Sequence, residues 1–356
     1  MRILITGICG FVGSTLAKAL REYSSTYEIL GIDNFSRSGS WLNKALLQAM
    51  DIRVFHGDIR VTSDLEVLPK ADWVIDAAAN PSVLAGVDGR TSSLQLVQHN
   101  LQGTINLLEY CKRHGAGFIL LSTSRVYSIP GICGLKVFEK EGAFYPELAQ
   151  AFPVGITTEG VSEAYSTAPP VSLYGSTKVA SEHLALEYGA AFDFPVWINR
   201  CGVMAGAGQF GHPGQGIFAF WIHSFREKRS LKYIGFGGHG YQVRDCLHPQ
   251  DLVPLLERQF AEPLATNKPR TINLSGGVRN SMSLRQLSEW CADRFGPNQV
   301  IPTDTVRPFD IAWMVLDAAK AEKVWGWTPR TTIDDVLTEI SVFAEKHLDW
   351  CQLSVA

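Results

Sequence analysis

The feature that most constrains this chain is a glycine-spaced turn, Gly7-Ile8-Cys9-Gly10-Phe11-Val12-Gly13, set directly after the apolar run Arg2–Thr6. A strand that runs straight into glycines at this spacing, and then into a helical pattern, points to a βα unit built around a phosphate. Gly7 permits the sharp turn, Gly10 lets a pyrophosphate approach the backbone, and Gly13 lets the helix close on the sheet. The helix expected over 12–23 then offers its unpaired N–H groups to a dinucleotide. Cys9, Phe11 and Val12 fill the same stretch and join the candidate cofactor-binding set. A tight turn without a ligand is the plain alternative. It is set aside by the ordered company of strand, turn, helix and acidic residue.

That pattern repeats. Near-continuous apolar runs at Glu28–Asp33, 52–57, 73–78 and 117–122 read as strands buried on both faces. Helical patterns at 63–68, 94–114 and 174–192 separate them or follow them, and 196–200 resumes the strand pattern. The alternation predicts an α/β fold, a Rossmann-type doubly wound parallel sheet, with its ligand edge at the C-terminal strand ends. The later part reads as helices at 216–227, Leu284–Phe295 and 333–348 with a short strand Thr271–Leu274. Residues 1–200 are therefore expected to form the dinucleotide-binding domain, with a loop insertion at 128–171. Residues 201–356 are expected to form mainly a smaller C-terminal substrate-binding lobe, interleaved with the last elements of the sheet. The insertion carries prolines, glycines and five aromatic residues without a period, and reads as a lid or pocket wall.

Composition narrows the function classes. A net charge of -3 without a long run of one sign gives no general attraction to nucleic acid. The apolar N-terminal run is too short for a signal-peptide core, and no stretch reaches membrane-span length. Seven cysteines lie scattered without a CxxC pair, which fits reduced thiols rather than a disulfide frame or a zinc site. A cytoplasmic protein with no bound metal is expected.

The chemistry concentrates at strand ends. Asp33 closes the second strand, where a carboxylate accepts ribose hydroxyls and repels a 2′-phosphate, favouring NAD over NADP. Arg37, four residues on, offers a guanidinium to such a phosphate and so opposes that preference. Asp58 follows the third strand and reads either as a ligand of the adenine amino group or as a helix N-cap. Ala77, Ala78 and Ala79 leave room for a flat cofactor. Ser122 and Thr123 end the fifth strand, and Tyr174 and Lys178 share one helix face at i and i+4. A lysine beside a phenol favours phenolate, which takes a proton from a sugar hydroxyl while Thr123 holds that oxygen. Arg244 and Arg307 are the candidate diphosphate ligands, since guanidinium pairs bidentately with phosphate. Gln209 and Gln215 suit sugar or base edges. His248 and Asp251 read as a cap and brace, and Phe218, Phe220, Trp221, Trp325 and Trp327 as packing.

Gly7–Gly13, Thr123-Ser124-Arg125-Val126-Tyr127 and Tyr174–Lys178 together resemble the extended short-chain dehydrogenases that act on nucleotide sugars, over nearly the whole chain. Asn100, in Asn100-Leu101-Gln102-Gly103-Thr104, matches the family helix that borders the cofactor. Asp33-Asn34-Phe35-Ser36-Arg37, His56-Gly57-Asp58-Ile59-Arg60 and Gln242–His248 are similar to the CDP-paratose 2-epimerase (CDP-tyvelose epimerase) branch. So are Gly208-Gln209-Phe210 and Gln215-Gly216. The resemblance implies NAD as cofactor, with Asn34, Ser36 and Ile59 added to its site, and Arg125 added to the substrate site. It implies a nucleotide-diphosphate sugar as substrate and a homo-oligomeric assembly. The chain departs from the family pattern at Ser128, Leu173, Cys201-Gly202-Val203 and Ile311-Ala312.

Several reactions share this apparatus. A 4,6-dehydratase needs acid and base residues directly after Thr123, where this chain has Ser124-Arg125, so dehydration is disfavoured. Epimerisation, CDP-paratose 2-epimerase-like, is the expectation, and a UDP-glucose 4-epimerase-like reaction is the alternative. A reductase using exchangeable NADP is weakened by Asp33. From another class, a non-catalytic NAD-binding redox sensor is disfavoured by the intact Thr123, Tyr174 and Lys178.

Overall fold

The computed structural model of the chain describes residues 1–87, 89, 92–303 and 305–353. Seven strands form its central sheet: β1 (Arg2–Thr6), β2 (Glu28–Asp33), β3 (Arg53–His56), β4 (Trp73–Asp76), β5 (Gly117–Thr123), β6 (Val196–Cys201) and β7 (Thr271–Leu274). Their order is β7-β6-β5-β4-β1-β2-β3, and every pairing is parallel. All C-terminal ends therefore lie on one edge. The order reverses between β1 and β4, which opens a crevice at that edge.

Both faces are covered, as the apolar strands require. Helix α1 (Phe11–Tyr23) packs on one face with the helix Val253–Ala261 and the indoles of Trp325 and Trp327. The helices Gly103–His114 and Ser172–Phe192 cover the other. The helix expected over 94–114 runs unbroken from Ser93 to His114, with a π turn at Gln98–Gln102 inside it. Periodicity alone does not register one residue inserted into a turn. The helix Leu42–Ala49 and Val253–Ala261 lay outside the sequence reading.

The lobe has its own core, built from the helices Ile217–Arg226, Leu284–Phe295 and Ile333–Lys346 around Phe218, Trp221, Phe225 and Leu337. Two of these helices start where their sequence says they must. Ser283 with Gln286 and Thr332 with Asp335 form capping boxes that satisfy orphan N–H groups.

The insertion at 128–171 differs from the expected lid. It folds as a short helix, Ile129–Cys133, and two small hairpins, Val137–Lys140 with Ala143–Pro146 and Ile156–Thr157 with Gly160–Val161. Ile132, Leu135, Ile156, Val161 and Tyr165 bury against Trp313, Met314 and Leu316 in a fourth core. Its apolar side chains gain more by joining the C-terminal segment than by hanging over a pocket.

No helix among the described residues is long and apolar enough to cross a membrane.

Candidate active site

One cavity of about 380 Å³ runs along the C-terminal strand edge across the crevice between β1 and β4. Its floor is the glycine turn: Gly7, Gly10, Phe11, Val12 and Gly13 line it. Gly7 has φ +60°, a left-handed conformation that glycine tolerates, and a Cβ on Gly13 would lie 2.3 Å from the Gly7 carbonyl oxygen. The α1 N-cap, Gly10, has no side chain over the helix end, so the first N–H groups face the cavity uncovered.

The end beyond β2 and β3 is polar. Asp33 is buried and accepts 2.8 Å hydrogen bonds from the Cys9 and Phe35 N–H groups. Burial raises its pKa, and these backbone donors hold the rise back. Asn34, Ser36, Arg37, Asp58 and Ile59 line the same end. Asp58 accepts from the Asn34 amide at 2.9 Å and from Arg60 Nη2 at 2.6 Å, and these contacts hold its carboxyl well below the usual carboxylate range. The N-cap of the helix Thr62–Glu66 is Val61, so Asp58 does not cap it. Arg37 reaches away to Gln215 Oε1 at 3.2 Å and to the Phe210 carbonyl, so its guanidinium is engaged across the cavity.

Ala77, Ala78 and Ala79 form the wall after β4. Their turn is set from below, because Thr6 Oγ1 accepts from the Ala77 and Ala78 N–H groups at 3.1 and 3.0 Å. The buried carboxylate of Asp76 accepts from Thr6 and from Thr104, both at 2.8 Å, tying β1, β4 and the helix Gly103–His114 together.

Ser122, Thr123, Arg125, Tyr174 and Lys178 converge at the opposite end. The Thr123 hydroxyl accepts from the Arg125 N–H at 3.2 Å and lies near enough to the Tyr174 phenol to act on its ionisation. Lys178 is buried and donates from Nζ to the Leu121 carbonyl at 3.1 Å. Burial pushes the Tyr174 phenol up to about 12, and the opposing influences are the neighbouring Thr123 hydroxyl and the positive charge of Arg125. The expected lowering of Tyr174 by Lys178 is thus not what these side chains show. Lys178 is turned to the β5 backbone, and its own pKa is lowered by burial despite Asp76 and Glu182.

Below this end lies a charge pair that sequence reasoning passed over. Glu182 takes three hydrogen bonds from Arg200, at 3.0, 3.1 and 2.6 Å, and one from the Ser122 hydroxyl. Arg200 also donates to the Tyr127 hydroxyl at 3.2 Å, which donates to Asn273 at 2.7 Å. The network joins β5, β6, β7 and the Tyr174 helix.

Four expected site residues stand away from the cavity wall. Cys9 is buried in the core, and its N–H and C=O are taken by Asp33 and Asn43. Asn100 lies behind the wall, where it holds the Asn80 N–H at 2.7 Å and C=O at 3.0 Å and reaches Thr177 at 3.3 Å. Arg244 pairs with Asp310 at 3.0 Å. The charge of the partly buried Arg307 acts on Arg244 and Arg125 alike, so these three arginines and Asp310 form one cluster beside the cavity. Gln209 and Gln215 do line the cavity. His248 accepts from the Gln250 N–H at 3.2 Å, and Asp251 holds the Arg330 and Thr331 N–H groups at 3.1 and 3.0 Å. Arg60 and His99 line the polar end, and neither stood out by spacing.

The NAD dependent epimerase/dehydratase family model matches residues 3–275, from β1 through the end of β7. The chain belongs to this family. NAD is the cofactor of the NAD dependent epimerases and dehydratases, and the cavity fits it: an uncovered helix end for a pyrophosphate and a buried carboxylate after β2 for a ribose. Among curated relatives, the CDP-paratose 2-epimerase of Salmonella typhi is 27% identical, covering 98% of this chain and 99% of the relative. The UDP-glucose 4-epimerase of Corynebacterium glutamicum is 26% identical over 97% and 98%. Among solved structures, a mutant UDP-glucuronic acid 4-epimerase from Bacillus cereus superposes with a TM-score of 0.75 at 25% identity. It covers 97% of this chain and 99% of its own, and holds UDP-4-deoxy-4-fluoro-glucuronic acid and NAD. This epimerase/dehydratase chain thus shares fold and length with enzymes of several specificities.

Proposed function

We propose that the chain epimerises a nucleotide-diphosphate sugar through a keto intermediate, at C2 of a CDP-linked deoxyhexose. The observation that carries epimerisation is the pairing of Tyr174 and Thr123 with no acidic residue after Thr123: Ser124 and Arg125 follow instead. An oxidised sugar then has no acid/base pair to drive elimination. NAD, when bound, supplies a reversible hydride acceptor. Tyr174 takes the proton of the reacting hydroxyl and returns it, and Thr123 holds the same oxygen in line. Lys178 orients the nicotinamide ribose. Arg125, Gln209 and Gln215 bind the sugar nucleotide, and Arg244 and Arg307 take the diphosphate, with Asp310 released from Arg244 as phosphate arrives. Asp33, Asn34, Ser36, Asp58 and Ile59 hold the adenosine half. Residues 1–200 serve mainly the cofactor and 201–356 mainly the sugar nucleotide.

The C2 and CDP assignment is supported by the relative in Salmonella typhi and by the matching glutamines and Gln242–His248. The relative in Corynebacterium glutamicum supports a second reading, a UDP-glucose 4-epimerase-like reaction, nearly as well. A substrate deuterated at the reacting carbon, incubated in unlabelled water and read by NMR, separates them. The expected product keeps deuterium at C2 with inverted configuration and no free NADH. Inversion confined to C4 makes the second reading correct. Label washed into solvent overturns transient oxidation altogether.

A further inference from the structure

Arg37 has two partners, and neither is an acid. From the loop after β2 its partly buried guanidinium donates to Gln215 Oε1 at 3.2 Å and to the Phe210 carbonyl, both in the segment 208–216 beyond β6. No carboxylate among the described residues offsets its desolvation. Guanidinium ordinarily pairs with carboxylate or phosphate. Two neutral acceptors on a distant segment make it a tie between two parts of the chain. Arg37 lines the cavity, and so do Gln209, Phe210, Gln215 and Gly216, so the tie is made at the cavity itself.

Segment 208–216 is built as a strap. Gly208 and Gly216 stand at its ends with φ +76° and +67°, left-handed values that glycine adopts without strain. Between them His212 and Gln215 exchange backbone hydrogen bonds of 2.8 and 2.9 Å around the exposed Pro213 and Gly214. The base of the strap is held by the end of the chain. The Phe210 ring stacks on Trp350 with centroids 4.9 Å apart, and the Trp350 indole donates to the Gln209 carbonyl at 3.1 Å. On the side of the β2 loop, a Cβ on Gly39 would lie 2.7 Å from the Phe210 ring, so glycine there lets the strap come down. Arg37 then supplies the polar fastening. We propose that Arg37 is a positioning residue that clasps this strap over the cofactor cavity through Gln215 and Phe210, so that NAD enters and leaves only when the clasp opens. The proposal rests on NAD occupying this cavity.

Stopped-flow fluorescence tests it with NADH as the probe, following uptake by the protein and release on adding excess ADP-ribose. Arg37→Met should speed uptake and release alike, each by roughly tenfold as for lost hydrogen bonds from a charged group, and leave the equilibrium affinity near that of the wild type. Arg37→Lys should restore part of the slow exchange, because an ammonium still donates to one acceptor. Gln215→Glu tests the same contact from the strap. It should slow both rates below the wild type by giving the guanidinium a carboxylate, and should lose that effect in combination with Arg37→Met. Faster release with unchanged uptake would overturn the clasp and make Arg37 a direct cofactor contact. Rates unchanged in both Arg37→Met and Gln215→Glu would overturn any gating by this strap. A wild-type chain that took up neither NADH nor ADP-ribose would bring down the cofactor reading itself, and the clasp with it.

Discussion

Tyr174 sits where burial works against the ionisation its chemistry requires. Its phenol is pushed up to about 12, and the cation that opposes this is Arg125, on the turn just after Thr123. Removing that charge raises the pKa further, so the phenolate form is reached only at higher pH. Arg125→Met should therefore depress kcat at neutral pH and recover as pH rises, with its ascending limb displaced upward from that of the wild type. Arg125→Lys should keep the limb near its original place. Tyr174→Phe should lose hundredfold or more at every pH while still binding NAD. A pH profile unchanged in Arg125→Met would remove Arg125 from any such role. The YxxxK spacing made the lysine legible in sequence, whereas the direction its side chain takes depends on the Leu121 carbonyl, which no spacing reveals.

At the scale of elements, the sequence reading placed β1, β2 and β7 at their observed bounds because turn glycines and acidic strand ends frame them closely. It did not foresee the π turn at Gln98–Gln102 inside the helix over 93–114. It also missed what fastens the Tyr174 helix to the sheet. Glu182, Arg200 and Ser122 are far apart in sequence and carry no local signature, yet the Glu182 and Arg200 side chains are only 2% and 10% exposed. Breaking one partner of a buried pair strands the other charge, at a cost of about 3–5 kcal/mol. Glu182→Gln should lower stability by that order in urea denaturation, because a neutral amide no longer compensates the buried Arg200 guanidinium. A variant as stable as the wild type would mean that solvent reaches Arg200 readily.

For the whole molecule, the alternation of apolar runs and helices was enough to foresee the doubly wound sheet, since each parallel strand needs cover on both faces. The insertion resisted the same reasoning, because Tyr145, Phe152 and Tyr165 join a core with Trp313 and Phe144 packs on Phe236 and Tyr241, all some distance along the chain. Assembly is a further expectation at this scale. Leu94, Val97 and Leu173 stand 65%, 41% and 41% exposed on or beside the helices that cover one face of the sheet. We expect light scattering to give at least twice the mass of a single chain, and Leu94→Lys to lower that mass. A monomer at working concentration would refute a homo-oligomer.

The sheet has one more property that bears on how the protein is made. β6 is flanked by β5 on one side and by β7 on the other, and β7 belongs to the chain beyond the lobe's first helix. While the polypeptide leaves the ribosome, the rim of β6 stays unpaired until the intervening stretch has been synthesised and has folded out of the way. An unpaired rim is a template for the wrong neighbour. β6 and the first part of the lobe therefore mature together, and a nascent chain halted between them is a species for chaperones to guard.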